Sequence, residues 1–114
     1  MAARFDIILD KGSDFSLDVS LNVQDGDTIS LIGAEAEAQV RANFKSSEVL
    51  DTLKSGTNRI NVVDATRLTM YFPADVTTDY TFDKGVYDLE VKLKNGERLR
   101  ILEGLLIARP EVTR

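Results

Sequence analysis

The sequence predicts an all-β protein with antiparallel strands, and two alternating segments and one turn signal support this. Residues 15–24 alternate between apolar and polar side chains over five pairs, as expected for a strand with one buried and one solvated face. Residues 87–94 alternate in the same way, and a second apolar run follows Asn95-Gly96. Asn-Gly between two such runs is the strongest short-range sign of a hairpin. We therefore predict that residues 85–109 form a closing β-hairpin.

Shorter apolar or alternating runs between turn signals predict further strands at residues 4–10, 28–32, 34–44, 59–63 and 67–72. The segment 34–44 is rich in Ala and Glu, which favour a helix by propensity. Its strict alternation, however, would scatter apolar groups around a helix but collect them on one face of a strand. The period is the stronger signal, so we predict a strand there.

Two segments predict short helical turns. Residues 46–53 place Ser before Glu and then several apolar residues, which fits a capped single helical turn or a loop. Residues 73–79 follow the strand that Pro73 ends, because proline cannot donate to a β-ladder. The sum is about seven to nine strands with turn signals about every 8 to 12 residues, typical of a β-sandwich or a small barrel. Of these two we predict an antiparallel, Ig-like β-sandwich. We expect one domain over residues 1–110 and a C-terminal tail at 111–114.

The composition excludes several kinds of chemistry. The 114 residues include no Cys and no His, so disulfides, thiolate metal sites and triads based on His cannot form within the chain. Trp is also absent, which weakens the case for a carbohydrate-binding platform. We predict no metal, no cofactor and no enzymatic activity.

The charge and hydropathy patterns bear on the class of partner. The formal net charge is −5 without a basic cluster, whereas a nucleic-acid-binding protein needs a positive footprint. No apolar run approaches the roughly 18 residues of a membrane span. The N-terminal segment lacks the apolar core of a signal peptide. We therefore expect a protein made in the cytoplasm that binds neither nucleic acid nor membrane.

Two groups of carboxylates are weak candidates for sites. Asp25-Gly26-Asp27 could give oxygens to Ca²⁺, but the other ligands of an EF-hand loop are missing and a hairpin turn is the preferred interpretation. Asp75 and Asp79 flank a polar stretch and could form a catalytic pair. Helix capping and solvation explain them equally well, so we prefer the structural interpretation.

Charged side chains on the closing hairpin form a third candidate. Arg98 and Arg100 are predicted to point outward on one strand. The preceding strand places two lysines and two carboxylates on the same face: Lys92, Lys94, Asp88 and Glu90. An anion-binding patch is one interpretation. Cross-strand charge pairs on a solvated face are the interpretation that we prefer.

The end of the hairpin carries the strongest candidate for a contact with another protein. Leu105, Leu106 and Ile107 are consecutive, so both faces of this strand are apolar near its end. Either Gly104 marks a bulge that re-aims the side chains, or one face meets a partner chain. The predicted partner-binding residues are Leu102, Leu105, Leu106, Ile107, Arg98 and Arg100.

The sequence resembles a family of small β-sandwich proteins encoded by tailed bacteriophages and prophages. The matching pieces are Leu31–Arg41, Tyr87–Val91, Leu102–Gly104 and Pro110–Arg114, in which Tyr-Asp-Leu-Glu-apolar, Leu-Glu-Gly and Pro-Glu-Val-Thr-Arg stand in the family's order. Residues 43–73 match loosely, and the Ala- and Glu-rich strand near Ala34 departs from the pattern. The family pattern describes a scaffold, so no functional residue is transferred from it.

The resemblance implies a structural role in a virion. Such proteins are tail, baseplate, neck or fibre-attachment components, so we expect an adaptor or attachment component that contacts other virion structural proteins. It would form a homo-oligomer in the assembled particle. The alternatives are a capsid decoration protein and an Ig-like module that binds a host surface; the latter would need exposed aromatic side chains.

Overall fold

The structure, a computed structural model, describes residues 2–21 and 29–110. Within these residues the chain forms strands and one short helix. In chain order they are β1 (Ala3–Arg4), β2 (Ile7–Asp10), β3 (Phe15–Ser20), β4 (Glu35–Arg41), β5 (Val49–Lys54), β6 (Ile60–Val62), β7 (Arg67–Phe72), α1 (Ala74–Thr77), β8 (Lys84–Lys92) and β9 (Arg98–Arg109). The predicted turn at 25–27 and the tail at 111–114 lie outside the described residues.

The strands form two sheets that enclose the core. The large sheet has the order β1-β9-β8-β4-β5, with β2 also paired to β9, and the small sheet has the order β3-β7-β6. The strands can be lettered as in an Ig sandwich. The small sheet then contains strands B, E and D, which are β3, β7 and β6, and the large sheet contains C, C′, F and G, which are β4, β5, β8 and β9. The predicted all-β, Ig-like sandwich is confirmed. Pairing is antiparallel except that β1 and β2 run parallel to β9.

The Ala- and Glu-rich segment forms a strand, as its alternation predicted. Ala36, Ala38 and Val40 of β4 face the core and are buried, while the polar residues between them face outward. β4 lies between β8 and β5, so both of its edges are paired. This pairing outweighs the weak helical propensity of Ala and Glu.

Two predicted elements are wrong. Residues 46–53 do not form a helical turn, because 49–54 pair with β4 as strand β5. The Ser46 hydroxyl does accept the Glu48 N–H at 3.2 Å, but this closes a local turn and starts no helix. Residues 29–32 form no strand either. Leu31 instead lies in a loop with its side chain buried in the core, and its N–H donates to the Ala65 carbonyl at 2.8 Å.

The second predicted helical turn is confirmed as α1, which crosses the end of the sandwich. Its first N–H, on Ala74, donates to Asp14 Oδ1 at 2.7 Å. Thr77 is fully buried, and its hydroxyl accepts the Gly12 N–H at 3.0 Å. These two bonds join the helix to the turn between β2 and β3.

The predicted hairpin between β8 and β9 is confirmed, and the structure shows the type of its turn. The Gly96 N–H donates to the Leu93 carbonyl at 2.8 Å, and the Leu93 N–H donates to the Glu97 carbonyl at 2.7 Å. Gly96 has a φ of 93°, whereas Asn95 does not have a positive φ. These features define a three-residue loop, in which a type I turn is followed by a left-handed glycine. A two-residue type I′ turn would need a positive φ at both Asn95 and Gly96.

Candidate interaction surfaces

A row of apolar side chains crosses the outer face of the large sheet. Ile8 pairs with Ile107 across β2 and β9, and Leu105 pairs with Val86 across β9 and β8. Arg41 of β4 interrupts the row, because it lies between Val86 of β8 and Val49 of β5. Phe44, in the loop between β4 and β5, borders the same concavity as Arg41 and Val86. We define the outer band as Ile8, Phe44, Val49, Val86, Leu105 and Ile107.

The outer band contains side chains that a solvated sheet face does not usually present together. Ile8 is 54% exposed, Phe44 60% and Val49 37%, and the remaining three are half-buried. The band crosses five strands, a distance of about 19 Å at the usual spacing between strands. Large apolar side chains exposed close together among polar neighbours mark a surface that contacts another molecule.

The structure divides the predicted partner-binding residues into two groups. Leu102 is 7% exposed and Leu106 is 0% exposed, and both belong to the core. The prediction that these two contact a partner is wrong, because their side chains are enclosed between the sheets. Leu105 and Ile107 alternate with them and point outward into the outer band. For these two residues the partner contact stays a prediction.

Gly104 is not a bulge, contrary to one of the two interpretations of this strand. It pairs in register with Tyr87, and the register shift of the hairpin falls at Ile101 instead. A Cβ on Gly104 would lie 2.2 Å from the Phe5 carbonyl oxygen. Gly104 therefore permits the close approach of the N-terminal segment. The same Phe5 carbonyl accepts the Tyr87 hydroxyl at 2.5 Å.

The charged half of the same sheet face consists of paired charges. Arg100 lies 3.4 Å from Asp88 and 3.6 Å from Glu90, which agrees with the preferred interpretation of a solvated face. Burial raises the pKa of the Asp88 carboxyl, and the Arg100 guanidinium only partly offsets this effect. Arg98 is exposed and lies opposite Lys92. Arg98 and Arg100 line one concavity of this sheet face, in which carboxylates such as Asp88 and Glu90 also lie. For Arg98 and Arg100 the partner contact stays a prediction.

The other candidate residues are dispersed. Asp75 and Asp79 are exposed near α1, and Tyr80 is buried and turns away from them. Asp25 and Asp27 lie outside the described residues. Within the described part of the chain, no group of three acidic side chains is placed to hold a metal ion. In the same residues, no helix is long and apolar enough to cross a membrane.

Sequence reasoning missed a buried polar cluster that joins the two sheets. Asp51 of β5 accepts two hydrogen bonds from Arg59, at 3.2 and 2.7 Å, and one from the Tyr80 hydroxyl. Arg59 Nε donates to the Tyr71 carbonyl at 2.8 Å, and its guanidinium lies 5.7 Å from the ring centre of Phe72. The sequence carries no signal for this cluster, because its members are far apart along the chain and of common types.

The two buried tyrosines make the stability of the fold depend on pH. Burial raises the pKa of Tyr80 well above its ordinary value of 10.0, and the bond to Asp51 raises it further. Burial also raises the pKa of Tyr87. Above pH 10 the unfolded chain therefore loses protons that the folded chain keeps, and this difference favours unfolding. The stabilisation is complete below pH 10 and is lost as the pH rises further.

We expect the free energy of unfolding to fall as the pH rises from about 10 to about 12, with a shallower slope in the double variant Tyr80→Phe/Tyr87→Phe. Urea unfolding curves at a series of pH values measure both slopes. Lysine deprotonation affects the two proteins alike, so the difference between the slopes isolates the tyrosines. Equal slopes would show that these hydroxyls ionise normally in the folded state.

No protein-family model matches the chain, and no curated protein matches it. Among solved structures, the second Ig domain of the mouse polymeric immunoglobulin receptor is 10% identical over 98% of this chain and 100% of that chain, with a TM-score of 0.49.

Two further structures give similar values. A chain from work on T cell specificity and activation by the bacterial superantigen toxic shock syndrome toxin-1 is 14% identical over 90% of this chain and 92% of that chain, with a TM-score of 0.49. Extracellular domains 3–5 of Drosophila OTK are 14% identical over 95% of this chain and 33% of that chain, with a TM-score of 0.42. The assignment of an Ig-like sandwich rests on the strand order of this chain.

Proposed function

We propose that this chain is a structural virion protein of a tailed bacteriophage, an adaptor or attachment component of the tail, baseplate or neck. The observation that carries the proposal is the outer band, which gives a rigid sandwich an apolar contact surface. The resemblance of Tyr87–Val91 and Leu102–Gly104 to phage β-sandwich proteins supplies the class of particle. The partners are other virion structural proteins, and the chain forms a homo-oligomer in the particle.

The glycan-binding alternative is less well supported by the geometry. It needs exposed aromatic rings beside hydrogen-bonding groups. Tyr80 and Tyr87 are 8% and 1% exposed, and the exposed rings of Phe5 and Phe44 carry no hydrogen-bonding group of their own. Tyr71 is half-buried, and its hydroxyl donates to Asp14 at 3.1 Å. A decoration protein would use the same kind of apolar contact as an adaptor, so the location of the chain on the particle distinguishes these two roles.

The proposal is tested on purified particles. We expect the chain to co-purify with virions, and cryo-electron microscopy to place it in a ring at the tail, baseplate or neck. Absence from purified virions would contradict the structural role. A location over the capsid shell would favour decoration instead.

The contribution of the outer band is tested separately by placing charges on it. We expect Ile8→Lys/Val49→Lys to lower the amount of chain incorporated into particles by about tenfold or more, because charges at the edge of an apolar contact must be desolvated. Ile32→Lys/Val63→Lys is the matched control, since these residues are 59% and 50% exposed and lie off the band. Thermal melting confirms that both variants fold. Equal incorporation of both would exclude the band as the contact surface.

A further inference from the structure

The small sheet has an edge, at β3, where main-chain groups point away from the sandwich. The Leu21 N–H donates to the Thr66 carbonyl at 2.7 Å, and facing groups alternate along an antiparallel ladder. The main-chain N–H and C=O groups of Phe15, Leu17 and Val19 therefore bond to β7. The N–H and C=O groups that point outward belong to Ser16, Asp18 and Ser20, and we call them the β3 edge.

Among the described strands, β3 pairs with β7 alone. The core-facing side chains of β3 also show that a neighbour is missing on the other side. Phe15, Leu17 and Val19 are only half-buried, whereas their partners on β7 are buried. These partners are Phe72, Met70 and Leu68. A strand added to the β3 edge would cover the exposed parts of these side chains.

Of the features that usually protect a sheet edge from pairing, the β3 edge has only one charged side chain, Asp18. Its six residues keep one register with β7 and contain no proline, lysine or bulge. The edge at β5 has a register shift and ends at Lys54. The edge at β6 is three residues long. On the far side of the large sheet, Phe5 and Asp6 interrupt the edge formed by β1 and β2.

The charge on the β3 edge selects the kind of strand that fits. Asp18 accepts the Thr69 hydroxyl at 3.0 Å and forms no ion pair with any described residue, while the nearby Arg67 is paired with Asp64 at 2.7 Å. A second copy would bring its own Asp18 close to this one, and each chain carries a net charge of −5. Like charges opposed across a strand pair are destabilising. A basic strand would instead be attracted.

We infer that the β3 edge binds an extended, basic segment of another protein by strand addition. The main chain of that segment pairs with Ser16, Asp18 and Ser20. Its apolar side chains cover Leu17 and Val19, and a Lys or Arg lies opposite Asp18. This inference deepens the proposed function, on which the identification of the partner as a virion protein rests. With the outer band on the large sheet, it gives the chain two separate contact surfaces, as an adaptor needs.

The probe for this inference is a synthetic peptide of about eight residues in which Val and Lys alternate, long enough to span the edge at about 3.4 Å per residue. We expect it to bind the purified protein at least about tenfold more tightly than an alternating Val and Glu peptide. Amide exchange followed by NMR locates the binding. In the free protein the amides of Ser16, Asp18 and Ser20 should exchange quickly while those of Leu17 and Val19 exchange slowly. The peptide should slow the first three.

Variants at the edge separate strand addition from general attraction. Asp18→Pro removes an outward-pointing N–H, which an edge strand tolerates. If the proline variant fails to fold, Asp18→Lys replaces it, because a lysine at a sheet edge opposes pairing with another strand. Each should weaken binding by about tenfold or more. Thr52→Pro and Thr52→Lys are the matched controls. The Thr52 N–H points away from β4 by the same alternation, because the Ser55 N–H donates to the Ala36 carbonyl at 2.9 Å. Both controls should bind like the parent protein.

Four results would overturn the inference. They are slow exchange at Ser16, Asp18 and Ser20 in the free protein, equal binding of the acidic peptide, equal loss in the Asp18 and Thr52 variants, and a dimer in sedimentation that Asp18→Lys abolishes. The last would make a second copy the occupant. Because the test uses purified protein and a synthetic peptide, its failure and a failure to find the chain in virions are distinguishable.

Discussion

Replacing Asp51 with alanine is expected to lower the free energy of unfolding by about 3–5 kcal/mol, the range for breaking a buried ion pair from one side. The side chains of Asp51 and Arg59 are 11% and 13% exposed, so water cannot readily replace the lost carboxylate. The variant would also leave the Tyr80 hydroxyl without its acceptor. Chemical denaturation with an unchanged m-value measures the loss.

Two comparisons sharpen this test. Asp10→Ala removes the acidic partner of Arg109 at the surface, and we expect little change in the free energy of unfolding because exposed pairs contribute little. The triple variant Asp51→Leu/Arg59→Met/Tyr80→Phe should regain much of the loss, since apolar side chains of similar size can replace a buried pair and no Tyr80 hydroxyl is then left without its acceptor. A loss below about 1 kcal/mol in Asp51→Ala would mean that the cluster does not hold the two sheets together.

Replacing Gly104 with alanine should destabilise the fold by about 3 kcal/mol or more, as expected for overpacking that the backbone must absorb. The new Cβ would lie 2.2 Å from the Phe5 carbonyl oxygen, so the N-terminal segment would have to move. That movement breaks the bond from the Tyr87 hydroxyl to Phe5 and the bond from the Leu105 N–H to Asp6, at 2.9 Å.

Gly56→Ala is the control for the Gly104 variant. Gly56 has a φ of +83° and nothing near its missing Cβ, so its cost of about 1–2 kcal/mol comes from backbone conformation alone. Thermal denaturation ranks the two variants, and amide exchange at Phe5 reports whether the N-terminal segment has detached. Equal costs for the two would show that the contact at Gly104 adapts easily.

The outcome for the strands shows what local pattern can and cannot predict. Alternation placed β7 at residues 67–72 and identified β4 against the helical propensity of its alanines, because both strands have one buried and one exposed face. It failed at residues 49–54, where β5 has consecutive half-buried residues and a register shift. The pairing of β5 with β4 is a tertiary effect that the local sequence does not encode.

The candidate surfaces were less predictable than the strands. Leu105 and Ile107 are distinguished from Leu102 and Leu106 by the phase of the strand, which the register shift at Ile101 determines. Partners on other strands, such as Ile8 and Val49, join the outer band through long-range pairing. Their exposure therefore becomes visible only when the sheet order is known.

The parallel pairing of β2 with β9 has a consequence for how the protein is made. Ile7 pairs with Leu106 and Asp10 with Arg109. A strand near the start of the chain therefore pairs with a strand near its end. Contacts this distant in sequence slow folding. On the ribosome, β1 and β2 cannot pair with β9 until residue 109 has left the exit tunnel. The sandwich therefore closes after synthesis of its last strand, and chaperones have a period in which to act on the exposed strands.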